Sequence, residues 1–225
     1  MIRKAAYFLA FLLAMAAGPL RSQVNDAQLW LNLSAEKKLT SHLSAEAGGE
    51  LRLNENMAEA GTIYGEAGLS YRFLKKFRVG AFYRYTLKRR LDDTYKQHHG
   101  WYAEAGYRDK IGRIRLQARL RYQSRYNEPM TSDDAAIPND HLRAKLTLKY
   151  NLKKSKFEPY ISGEGFFDKR APCYKKFDQL RLCAGIEYAF NRMHMIDLSY
   201  MFRREYQAKN PETDYVIGLG YHFTF

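Results

Sequence analysis

Ser41-His42 sets a nucleophile beside a base. A hydrolase needs those two groups within hydrogen-bond reach, with a third group orienting the base. Ser41 falls in the apolar phase of an alternating segment and His42 in the opposite phase. Period-2 geometry therefore points them to opposite faces, and no catalytic residue is assigned. Asp92, Asp93, His98 and His99 fall in one long connection, where acids and histidines could meet as in a protease; a solvated polar loop explains them equally. Asp133-Asp134 lacks the alternating ligand spacing of a calcium loop, no Cys/His spacing fits zinc, and no glycine-rich phosphate loop occurs. No metal and no cofactor are expected. Cys173 lies in a long connection, and Cys183 near a segment start in the charged phase. An exported location permits a disulfide between them, and free thiols stay equally open.

The denser chemistry is charge at every second position. The basic members are Arg78, Arg84, Arg108, Arg115, Arg119, Arg121, Arg143, Lys145 and Lys149. The acidic members are Glu46, Glu50, Glu66, Glu104, Glu164 and Glu187. Such residues could select anions as a ring inside a pore. They could equally pair and fill the interior, because buried charges must be paired. Arg119 and Arg121 facing Glu104 would do so.

The elements that position them are strands. Apolar and polar residues alternate through eleven segments, and no charged residue occupies the apolar phase. In the last, Tyr215, Ile217, Leu219, Tyr221, Phe223 and Phe225 alternate with Val216, Gly218, Gly220, His222 and Thr224. Gly218 and Gly220 leave room on the charged side. The connections also alternate. Short ones are Glu36–Lys38, Leu74–Lys76, Asp109–Arg113, Asn151–Lys156 and Asn191–His194. Long ones are Asn54–Ala60, Lys88–His98, Ser124–Asp140, Asp168–Phe177 and Gln207–Asp214. Aromatics gather beside both kinds of connection, while Ala, Leu, Ile, Val and Gly fill the middles. Two aromatic belts around an aliphatic band suit a barrel crossing a membrane. A soluble sandwich has no reason to push its aromatics to both ends. The expectation is all-β: a closed antiparallel transmembrane β-barrel of 10–12 strands, with short periplasmic turns and longer extracellular loops. Eleven segments conflict with the even count of bacterial barrels, so 10 or 12 strands are expected, 12 slightly favoured.

Arg3 and Lys4 precede an apolar run, Ala5–Ala17, too short to span a bilayer as a helix. Residues 1–22 read as a cleaved signal peptide and residues 23–225 as the barrel. The chain is basic, +13 at neutral pH, and rich in Tyr (18) and Phe (13). A soluble nucleic-acid binder would explain the charge alone; the alternation and belts argue against it, and no nucleic acid is expected.

The stretches QLWLNLSAEKKL, GELRLNEN, the Tyr71–Lys76 turn and the terminal YHFTF resemble outer-membrane β-barrels of Bacteroidota type, in particular an uncharacterised family of small barrels with a domain of unknown function. The resemblance implies a Gram-negative outer-membrane location. It implies contact with lipid, lipopolysaccharide and the assembly machinery, with Tyr221, Phe223 and Phe225 as the assembly signal. It carries no activity. Three functions remain: a structural or interaction barrel with a charge-filled lumen, first; a narrow anion-biased pore for small acidic solutes or oligosaccharides; and an outer-membrane lipid or peptide hydrolase. An enzyme is not the expected reading.

Overall fold

The computed structural model describes residues 25–90, 92–127, 139–169, 177–206 and 211–225. The signal-peptide reading, Asp133-Asp134 and Cys173, with its possible bond to Cys183, lie outside them.

The strands are β1 (Asn25–Lys38), β2 (Leu43–Asn54), β3 (Glu59–Phe73), β4 (Phe77–Arg89), β5 (Tyr95–Ile111), β6 (Ile114–Asn127), β7 (Asn139–Tyr150), β8 (Phe157–Asp168), β9 (Phe177–Ala189), β10 (His194–Glu205) and β11 (Thr213–Thr224). Each pairs with the next antiparallel, and β1 pairs with β11, so the sheet closes. Closure leaves no strand edge unpaired.

The expected even count is corrected. Among the described residues there are eleven strands, and β1 and β11 run parallel, from Asn25↔Thr213 to Glu36↔Thr224. With an odd number of strands, and so an even number of antiparallel steps, the first and last strands point the same way, and parallel hydrogen bonding closes the barrel. Phe225 extends the seam by donating its N–H to the Glu36 carbonyl at 2.8 Å.

Several connections also differ. The first turn is Leu39–His42, not Glu36–Lys38. The Thr40 hydroxyl accepts the N–H groups of His42 (3.2 Å) and Leu43 (2.9 Å), and this closes the turn beyond Lys38. Ser41 and His42 therefore share an exposed turn rather than opposite strand faces: Ser41 Oγ lies 2.8 Å from His42 Nδ1, and the imidazole stacks on Tyr71. The expected long connection at Asn54–Ala60 shrinks to a tight turn in which Glu55, Asn56 and Met57 all take positive φ. Asp26 holds it through the N–H groups of Glu55 (3.2 Å) and Asn56 (2.9 Å). β4 and β5 continue to Arg89 and Tyr95, so His98 and His99 are strand residues and do not cluster with Asp92 and Asp93 in a loop. The turns at Leu74–Lys76 and Asn151–Lys156 lie where the sequence puts them.

The apolar phase faces out. Leu33, Leu69, Leu120, Ile161, Leu198 and Leu219 are exposed on the outer wall. Aromatic contacts ring both ends: Phe73–Phe77–Tyr107, Phe157–Tyr188–Phe190 and His194–Phe223–Phe225 at the short-turn end, Trp101–Tyr122 and Phe202–Tyr215 at the other. His99 joins the second belt beside Tyr83 and Tyr85, so the outward face does carry histidine. The opposite phase faces in, and there the core lies: Trp30, Phe82, Tyr102, Phe166 and Val216 are buried.

Candidate functional site: an arginine–aromatic girdle in the lumen

Every acidic lumen residue expected from the sequence is ion-paired. Glu46 binds Arg78 at 2.5 Å and Glu50 binds Arg52 at 2.5 Å. Glu66 binds Arg84 at 2.5 Å, Glu104 binds Arg121 at 2.7 Å, and Glu187 binds Lys149. Glu164 serves two cations, Arg119 at 2.7 Å and Arg143 at 3.0 Å. Arg119 thus crosses to Glu164, two strands away, rather than sharing Glu104 with Arg121. Arg115 pairs with Glu158 at 3.0 Å. Arg108 and Lys145 make no ion pair among the described residues. At the short-turn end Tyr221, Phe223 and Phe225 share the outer phase, and the Tyr221 hydroxyl meets His194 Nδ1 at 2.5 Å.

Within the lumen arginines alternate with aromatic rings, except where Arg121 and Arg143 stand side by side. Arg52 lies 3.8 Å from the centroid of Trp30 and 5.5 Å from Tyr64. Arg84 lies 4.1 Å from Tyr64 and 5.3 Å from Tyr102. Arg121 lies 3.8 Å from Tyr102. Arg143 lies 4.5 Å from Phe166; Arg181 lies 4.4 Å from Phe166 and 5.2 Å from Trp30. Strands β1 to β9 each contribute one member, and Arg181 returns the chain of contacts to Trp30. Each contact of a cation over a ring is worth about 0.5–2 kcal/mol, the higher end where water is excluded.

The local reasons are visible in the register. Trp30 sits opposite Arg52, Arg121 opposite Arg143, and Arg143 opposite Phe166. Arg121 and Arg143 are like charges face to face. Glu104 and Glu164 neutralise them, each accepting a two-pronged guanidinium bond. Trp30 is fixed by donating its indole N–H to Gln28 at 2.9 Å, and Gln28 donates to Asp26 at 3.0 Å. On the far side β11 offers Gly218 opposite Trp30. Gly218 and Gly220 do not open onto empty lumen: a Cβ there would meet Ser199 and Asp197.

The girdle divides the interior. A chamber of about 790 Å³ lies on the long-loop side and one of about 500 Å³ on the short-turn side. Arg52, Tyr64, Arg84, Arg143 and Arg181 line both, so the girdle stands where the two chambers meet. The sequence reading places Arg84, Arg121 and Arg143 inside but takes no account of Trp30, Tyr64, Tyr102 and Phe166. The signal is their phase: each stands among outward residues at an inward, charge-bearing position.

A family model described as a protein of unknown function (DUF2490) matches residues 27–214. The chain belongs to that family. The match spans β1 to the start of β11 and so takes in the whole girdle. No curated protein matches the sequence. Solved structures similar to the chain include the beta domain of the Bordetella autotransporter BrkA (13% identity, TM-score 0.46, covering 79% of this chain and 82% of that one). Another is the CymD monoaromatic hydrocarbon channel (11%, 0.43, 76% and 66%). A third is the translocator domain of the autotransporter NalP from Neisseria meningitidis (13%, 0.39, 78% and 72%).

Proposed function

We propose that this DUF2490 protein is an integral outer-membrane barrel with a closed lumen, acting as a structural or interaction element rather than as an open pore. The export-like start, the charge-free outer phase and the two aromatic belts support the location. Only closed barrels or helices satisfy every backbone group in lipid. On this reading the Lys-bearing short turns face the periplasm, and the outer wall meets lipid and lipopolysaccharide. The girdle carries the rest: arginines, most of them ion-paired, packed on aromatic rings where the two chambers meet, are the feature that would close a narrow tube. No catalytic role is assigned to Ser41, His42, His98 or His99.

Two measurements test this. Fractionation should recover heat-modifiable protein with outer membranes; recovery in the soluble fraction would refute the location. Purified protein in planar bilayers should give no steady conductance steps, and regular steps at modest voltage would refute the closed lumen.

A further inference from the structure

The long-loop chamber holds cations that its own carboxylates do not neutralise. Arg125 on β6 faces inward, opposite Gly100. The charges that act on it are Arg52 and Arg84, and both are already committed, to Glu50 and Glu66. Arg125 makes no ion pair among the described residues, and it lines the chamber. Arg181, on the chamber floor, also makes none among them. Glu164, the acid whose charge acts on it, is held by Arg119 and Arg143. Lys88 lines the same chamber, near Arg125 and Arg203 and also near Glu205 and Glu212, both of which already face Arg203.

Partly buried cations gathered around a cavity repel one another, and each lacks the partner that desolvation demands. A bound anion supplies it. Guanidinium groups favour carboxylate and phosphate, whose paired oxygens match the fork of N–H donors. The chamber volume, about 790 Å³, falls in the range of about 300–1,000 Å³ usual for small-molecule sites.

We propose that the long-loop chamber binds a small polyanion, a solute bearing two or more carboxylate or phosphate groups, between Arg125 and Arg181. The site rests on the girdle being its floor.

The test is isothermal titration of citrate, and separately of inorganic phosphate, into the folded barrel in detergent at low ionic strength. Maltose serves as the neutral control. At least one anion should bind and maltose should not. Arg125→Gln and Arg181→Gln should each weaken binding roughly tenfold or more, Arg125→Lys should weaken it less, and about 0.5 M salt should weaken it in the wild type. Binding of citrate alone would mark a carboxylate ligand, of phosphate alone a phosphorylated one, and of both the shared chemistry. No binding of either anion, or undiminished binding in both Gln variants, overturns the proposal. If Arg181→Gln loses heat-modifiability, Arg125→Gln decides alone, and full-strength binding there overturns it. Conductance by the wild type would remove the closed floor without altering this readout, so the two readings fail separately.

Discussion

The Arg181 guanidinium lies 5.2 Å from the centre of the Trp30 ring, although β10 and β11 stand between their strands in the wall. That span is possible because β11 presents Gly218 beside Trp30 and β10 presents only Ser199 beside Gly218. The contact completes the girdle across the seam.

Trp30→Ala should open it. The variant removes the ring shared by Arg52 and Arg181 and leaves a gap at the partition. Planar bilayers should show new conductance steps that the wild type lacks. Silence in a correctly folded Trp30→Ala would mean that other groups close the lumen.

Glu164→Gln should be among the most destabilising lumen changes. The carboxylate is buried, 6% exposed, and neutralises Arg119 and Arg143 together. Breaking a buried pair by removing one partner costs about 3–5 kcal/mol. The unfolding midpoint in urea should fall accordingly. Glu164→Gln with Arg143→Met should fall by less than the sum of the single changes, because one stranded cation is gone.

Gly218→Val should impair closure of the barrel. A Cβ at position 218 would run into Ser199 Oγ. Folding yield, read by heat-modifiability, should drop. Adding Ser199→Ala should restore part of it, since it removes the obstructing hydroxyl. No rescue would place the strain elsewhere.

The seam register is open to direct trial. Ser34 and His222 are paired across β1 and β11, and Ser34 Oγ lies 2.7 Å from His222 Nδ1. With Cys173 and Cys183 replaced by Ser, the Ser34→Cys/His222→Cys variant should form a disulfide on mild oxidation. Ser34→Cys/Gly220→Cys, two residues out of register, should form it far less readily. Equal yields would refute the parallel register.

One exposed turn should respond to alkali. Lys76 donates to Asp109 at 2.8 Å, and this bond raises the lysine pKa above its ordinary value of 10.5. A pKa raised by folding gives stabilisation that is complete below the unfolded value and lost as pH rises through the folded one. The turn should therefore loosen only at strongly alkaline pH. Lys76→Met should remove that dependence in amide exchange of residues 74–76.

Much of this was legible in the chain. The strands and the outward phase follow from strict alternation, and two short turns follow from the polar breaks at Leu74–Lys76 and Asn151–Lys156. The first turn was not, because Leu39 and Leu43 keep the apolar phase while the chain is already reversing. The length of the β4–β5 hairpin was hidden because Gln97 and His99, polar residues, occupy the outward phase beyond the band. The acidic half of the lumen network was visible as charge. The Arg121–Glu104 pair was visible too, whereas Arg119 reaches Glu164 rather than the nearer-looking Glu104, a choice set by side-chain reach around a curved wall. The inward rings escaped a reading that sorts faces by charge. The parallel closure has no local signature, since the parity of a strand count is a property of the whole chain.

That closure also bears on how the protein reaches its fold. Asn25 meets Thr213, the most distant pairing in the sheet, whereas every other interface joins neighbours in sequence. Loop-closure entropy opposes such a contact until the intervening hairpins have shortened the effective loop. Assembly should therefore proceed as a curling ribbon of hairpins, with the β1–β11 zipper last and rate-limiting. Any factor that speeds folding would act by holding those two ribbon edges together.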